Sequence, residues 1–365
     1  MKKLTLTLSI IAAVIFTNSA NAEIWRVNNN ATGTNGENLG GNVSKPVFAS
    51  MAAVMSSSLI PASSGDTIYL ESSPNSYGAF TISKQITLIG SGTFVDQNDS
   101  TSWNSIKALT GNITVASDNV NIIGVTIGGA VLTPLNAVRN NLTIKRCYLG
   151  GFTMTTCYGS STTLNNLVFT QNYVVYNDVF THNACNGSES IILNNPIFTN
   201  NIFLGRLPNK NLNIVNNNVF NSAQSLTFTC NEFKNNIIRQ AAQTTAISCA
   251  LSAYTNNIAP TASQFPTGYN STNLVVTESQ QNNTLFVPAA TNTDDGDYQL
   301  RPAYKVGTAT PNNLGADGTE RGVYGGAYPY TKSGIGPIPV IYKVNTNGVA
   351  NQSGLNITIS TKAVK

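Results

Sequence analysis

The chain has 365 residues and a formal net charge of +4, and charged residues make up 10% of it, against about a quarter in an ordinary soluble domain. So little charge excludes a surface built for nucleic acid or for a strongly acidic partner, since clustered Lys and Arg carry that kind of binding. Polarity comes instead from Asn, Thr, Ser and Gly.

Met1-Lys2-Lys3, an apolar run from Leu4 to Phe16 and the small residues Ala20-Asn21-Ala22 follow one another in the order of a secretory signal peptide cut after Ala22. The run is too short and too interrupted by Thr and Ser to span hydrocarbon, and no later stretch approaches that length. The product is therefore expected outside the cell or at its surface, with all five cysteines (Cys147, Cys157, Cys185, Cys230 and Cys249) in an oxidising compartment. Five cysteines allow at most two intrachain bridges. Cys157 with Cys185 and Cys230 with Cys249 are candidate pairs, and buried free thiols are the alternative.

Trp25-Arg26-Val27 reads as a first strand, followed by a Gly- and Asn-rich loop over residues 28–42. From Pro46, Phe48, Met51, Met55 and Leu59 recur at helical spacing and predict a short amphipathic helix. Strands are predicted at residues 67–70, 80–82, 86–89, 113–115, 120–123 and 125–127, separated by Gly, Asn and Ser clusters.

Residues 142–258 then repeat one eight-residue phrase. Its copies are 142–149 (Leu-Thr-Ile-Lys-Arg-Cys-Tyr-Leu), 167–174 (Leu-Val-Phe-Thr-Gln-Asn-Tyr-Val), 196–203 (Pro-Ile-Phe-Thr-Asn-Asn-Ile-Phe), 212–219 (Leu-Asn-Ile-Val-Asn-Asn-Asn-Val) and 226–233 (Leu-Thr-Phe-Thr-Cys-Asn-Glu-Phe). With Val120 and Leu251 as further starts, most intervals suit one turn of a β-solenoid, although those around Leu212 are short. Slots one and three face inward and slots two and four outward. The sixth slot predicts a ladder of stacked carboxamides at Asn172, Asn201, Asn217, Asn231 and Asn256, because Asn tolerates left-handed backbone and satisfies turns.

Trp25-Arg26-Val27, the helix near Met51, residues 65–70 (Gly-Asp-Thr-Ile-Tyr-Leu) and 86–90 (Ile-Thr-Leu-Ile-Gly) resemble the N-terminal region of pectate-lyase-like right-handed parallel β-helix proteins. Residues 297–302 (Asp-Tyr-Gln-Leu-Arg-Pro), 315–317, Arg321 and 322–326 (Gly-Val-Tyr-Gly-Gly) resemble the closing segment of secreted bacterial members, with Ala303-Tyr304-Lys305 in place of the usual Ser-Pro-Ala. The resemblance implies an all-β chain: a signal peptide (1–22), an N-terminal cap with its helix (23–65), a right-handed parallel β-helix (66–329) and a small C-terminal tail (330–365). That tail reads as strands at 340–344 and 355–360, joined by a turn around residues 345–348. The fold hosts lyases, hydrolases and adhesins, so it does not imply an activity.

Enzymes of that superfamily set acids and bases on outward slots. Here those slots give Thr143, Val168, Ile197, Asn213 and Thr227, and Lys145, Thr170, Thr199, Val215 and Thr229, none of them a carboxylate. The acids between residues 100 and 260 are Asp118, Asp178, Glu189 and Glu232, on different coils, which leaves no pair of the kind that cleaves glycosides. β-Elimination beside a uronate carboxylate needs a base and commonly Ca²⁺. Lys145, Arg146, Arg206 and Lys210 are the basic candidates, and Asp294, Asp295 and Asp297 the oxygen-rich loop. His182, near Cys185, is the one histidine. The expectation is a monomeric, secreted or surface-exposed binding module for extracellular polysaccharide or the cell envelope, needing no cofactor. Thr143, Thr170, Thr199, Thr227 and Thr229 are its contact candidates, and a Ca²⁺-dependent polysaccharide lyase is the alternative.

Overall fold

A computed structural model describes residues 22–60, 65–95, 106–134, 136–154, 161–175, 191–205, 207, 210–222, 226–240, 245–287, 295–301, 314–337, 340–351 and 354–362. Short strands pair in parallel with the equivalent strand of the neighbouring coil, as they must when the chain always winds the same way round one core. Sheet A starts at Ile24–Val27 and climbs through Thr67–Leu70, Thr87–Ile89, Asn121–Ile123, Thr143–Lys145, Val168–Thr170 and Ile197–Thr199 to Asn211–Asn216 and Leu226–Lys234. Sheet B runs from Phe80–Ile82 through Thr126–Thr133, Tyr148–Met154, Tyr173–Val174, Ile202–Phe203, Val219–Phe220 and Ile237–Ile238 to Leu274–Val275. Sheet C is shorter: Val138–Asn140, Thr162–Asn165 and Ile191–Asn194. The protein is an all-β parallel solenoid.

The inward column of sheet A is fixed by strand register as Ile122, Ile144, Phe169, Phe198, Val215, Phe233 and Tyr254, at intervals of 22, 25, 29, 17, 18 and 21 residues. This corrects the expected starts at Leu212 and Leu226. The nine-residue strand Leu226–Lys234 serves two sides of the coil: its first half pairs with Thr245–Ser248, and its far end with Asn211–Asn216 and Tyr254–Thr255. Alternation has the same period on both halves, so the pattern cannot say where the side changes. Aromatic residues fill the wider coils. Phe203 stacks on Phe220 at 5.4 Å and Phe233 on Tyr254 at 4.9 Å, within the range favoured by offset rings.

The expected helix is shorter than its stripe. It spans Met51–Ser56, capped by the Ser50 hydroxyl, which accepts from the Ala53 N–H, and it buries Met51 and Val54. Val47–Phe48 is instead a strand paired with Ile24–Val27, and Leu59 is exposed. At the other end Val340–Asn351 and Gly354–Lys362 form an antiparallel hairpin. Its first strand runs through the predicted turn at 345–348, since Asn345 pairs with Thr358 and Asn347 with Asn356, and the reversal falls between Asn351 and Gly354.

Sheet B is covered on both faces. Outward-facing Tyr148, Tyr173, Ile202, Val219, Ile237 and Ile258 pack against Phe94, Phe286, Tyr298, Val323 and Tyr330 as a second apolar cluster outside the barrel of coils. Residues 314–337, which supply part of this cover, form a strap that runs back along the A–B corner from the late coils to the early ones.

Candidate functional site

The A–B corner decides which parts of the surface remain open. Each coil turns there through one residue in left-handed backbone: Gly124, Arg146, Gln171, Asn200, Asn217, Asn235 and Asn256, with φ between 55° and 65°. The residue after it points into the core. The buried ladder is therefore Asn172, Asn201, Asn218, Asn236, Asn257 and Asn273. Each amide of Asn201, Asn218, Asn236 and Asn257 donates to the next ladder oxygen and to a carbonyl of the coil before, as Asn201 does to Asn218 Oδ1 (3.0 Å) and Phe169 O (2.8 Å). Asn172 and Asn201 stand where the sequence placed them. Asn217 and Asn256 are each one position early, because in an Asn-Asn doublet the first residue takes the left-handed turn and the second the ladder. Asn231 lies mid-strand and donates to Asn213 Oδ1 on the exposed side. In the coil where Cys147 holds the ladder position, its thiol bonds to Ile122 O and burial pushes its pKa up to about 12.

The left-handed column faces the other way and holds the strap. Arg146 Nη1 donates to Ile335 O (3.0 Å), Gln171 Nε2 to the carbonyls of Tyr328 and Pro329, and Asn200 Nδ2 to those of Val323 and Gly325. Gly124 leaves room for the strap: a Cβ there would sit 2.6 Å from Gly334 O. Arg146, a catalytic candidate from sequence, is buried and bonded to Gln171 Oε1 and the strap, so it serves as a clamp.

Sheet A is left open. Register sets its outward rows as Thr143, Val168, Ile197, Ile214, Glu232 and as Lys145, Thr170, Thr199, Asn216, Lys234. Thr143, Thr170 and Thr199 lie on this face as expected, and the Thr170 and Thr199 hydroxyls bond at 2.9 Å. Val215 is inward, and Thr227 and Thr229 belong to the half-strand paired with Thr245–Ser248, so the expected run of threonines is broken. Glu232 is a carboxylate in an outward row, contrary to expectation. Burial alone would raise its pKa, but hydrogen bonds from Lys234 (2.7 Å) and Asn216 hold it below the usual carboxylate range. Lys145 is pushed below the ordinary lysine value by burial and then by the neighbouring Arg146.

The principal concavity is elsewhere, where sheet C turns into sheet A. It is an open groove of about 1070 Å³, and half of its described lining residues are asparagine, including Asn140, Asn165, Asn194, Asn211, Asn213 and Asn231. Asn140 donates to Asp118 Oδ2 (2.7 Å), Asn165 to Asn140 Oδ1 (2.8 Å) and Asn194 to Asn165 Oδ1 (2.8 Å), so a second carboxamide ladder climbs one wall. A parallel exposed row links Asn119, Asn141 and Asn166. Thr229 donates to Asn211 Oδ1 (2.6 Å) on the far wall. Lys210 is the single charged residue in the described lining. Burial lowers its pKa, and its ammonium donates to Ile191 O (3.0 Å).

The basic candidates therefore do not gather: Arg146 is under the strap at one corner and Lys210 is in the groove at another. Arg206, His182, Cys157, Cys185, Asp294 and the side chain of Asp295 lie outside the described residues, and Asp297 is half-buried. Among the described residues no three His, Cys, Asp or Glu side chains are grouped to hold a metal ion, and no helix is long and apolar enough to cross a membrane. Sequence reasoning missed the groove because Asn140, Asn165 and Asn194 fall outside the eight-residue phrase. Their signal was the recurring Asn-Asn pair that precedes it at 140–141, 165–166 and 194–195. No family model, no curated protein and no solved structure matches this chain.

Proposed function

We propose that the chain is a secreted or cell-surface β-helix of the right-handed, pectate-lyase-like type that binds an extended, uncharged stretch of extracellular polysaccharide along the sheet C groove. The observation that carries this reading is the groove's chemistry: carboxamides recur on successive coils, about 4.8 Å apart along the axis, and supply donors and acceptors without a field. A polymer of hydroxyls is matched by such a surface, whereas a polyanion would call for arginines. Residues 1–22 support export, and the solenoid needs no metal or cofactor for this role. The distance in the fold between Arg146 and Lys210 speaks against β-elimination built on that pair.

The test is affinity electrophoresis of the purified chain in gels cast with neutral and uronate-containing polysaccharides, alongside an ultraviolet assay for unsaturated products. Retardation by a neutral polymer, lost in an Asn165→Ala/Asn194→Ala variant and accompanied by no product, is the expected result. Unretarded migration in every gel, or turnover of a uronate polymer with Ca²⁺, would overturn the reading.

A further inference from the structure

We propose that Cys230 and Cys249 form a redox site on the groove wall, a dithiol that a disulfide-bearing oxidant closes into a bond between consecutive coils. Thr229 and Ser248 are the last paired residues of the parallel strands Leu226–Lys234 and Thr245–Ser248, and each is followed by a cysteine. Neighbouring strands lie roughly 4.8 Å apart, inside the Cα separation of about 4.4–6.8 Å that a disulfide tolerates. The two side chains hydrogen-bond to each other. Among the described residues the third thiol, Cys147, is fully buried in the ladder column of an earlier coil, which leaves these two as each other's partners.

The pair is asymmetric in a way that sets the order of events. Cys230 is buried and its pKa is raised, first by the thiol–thiol hydrogen bond and then by burial. Cys249 is half-exposed, and the same bond, together with the backbone at Ala250, holds it below the ordinary thiol value. A thiolate is the attacking species in exchange, so Cys249 attacks first. Cys249 loses its proton, its sulfur attacks one sulfur of the oxidant, and one oxidant thiol leaves. Cys230 then attacks the Cys249 sulfur and expels the second oxidant thiol. Two protein thiols are oxidised, one disulfide is reduced to two thiols, and the protons pass to the leaving groups. The bond would pin Thr229 and Asn231, which flank Cys230 and line the groove, to the next coil. This inference does not rest on the groove's ligand.

The experiment uses the full chain, reduced and then incubated with glutathione disulfide, followed by denaturing alkylation and peptide mass spectrometry. The expected product is a Cys230–Cys249 cross-linked peptide pair, two hydrogens lighter than the reduced peptides. It should bring an upward shift of several degrees in melting midpoint that reductant reverses. Cys230→Ser should instead trap Cys249 as the glutathione mixed disulfide, whereas Cys249→Ser should leave Cys230 unmodified. Recovery of both cysteines in alkylated form after oxidation, linkage of either to Cys157 or Cys185, or no mixed disulfide in Cys230→Ser would overturn the proposal.

Discussion

Adjacent asparagines in this chain do different work because one residue of backbone geometry separates them. Asn200 has φ 56° and reaches out to two strap carbonyls, whereas Asn201, next to it, is wholly buried and bonded to three coils. Removing the inner amide leaves Phe169 O and the Asn172 N–H without partners in the core, and each such orphan costs about 1–3 kcal/mol. Asn201→Ala should therefore destabilise by about 3 kcal/mol in denaturant unfolding. Asn200→Gly keeps the left-handed turn at no steric cost and loses only the strap bonds, so it should cost about 1 kcal/mol. Equal losses for the two variants would show that the ladder and the strap column have been assigned to the wrong residues.

Among the elements, the strap is the one whose role follows from what lies beneath it. Sheet B presents Tyr173, Ile202, Val219 and Ile237 outward, a row that would be an exposed apolar patch on a free solenoid. Val323, Tyr330 and Ile335 of the strap are buried, and at about 2 kcal/mol per buried side chain they contribute roughly 5 kcal/mol. A chain ending at Gly318 should bind a hydrophobic dye strongly and be cut faster by protease than the full chain. Unchanged dye binding and protection would mean that sheet B is covered by something other than residues 319–337. The same element explains why Arg146 carries no signature of a base: its guanidinium is spent on Gln171 and Ile335 O.

At the scale of the whole molecule, the solenoid was legible in the sequence because stacking demands repetition, and repetition shows as alternation with recurrent asparagine. What escaped was phase. Leu212 and Leu226 carry the same apolar alternation as true starts, and only strand register separates Phe228 from Phe233 as the residue beneath Val215. The groove escaped for a related reason: it is built from residues of three coils, up to 91 positions apart between Asn140 and Asn231 in the chain, and no local pattern brings them together. Burial of sheet B by the chain itself and closure of the A–B corner by the strap leave sheet A and the groove as the open faces, and of these the groove is the concave one. Hydrogen–deuterium exchange in the presence of a polysaccharide that retards the protein tests that assignment most directly. The account predicts slowed exchange at residues 191–196, 210–213 and 229–231, with the strap and the outward rows of sheet A unchanged. Protection centred on Thr143, Thr170 and Thr199, with the groove unaffected, would contradict it.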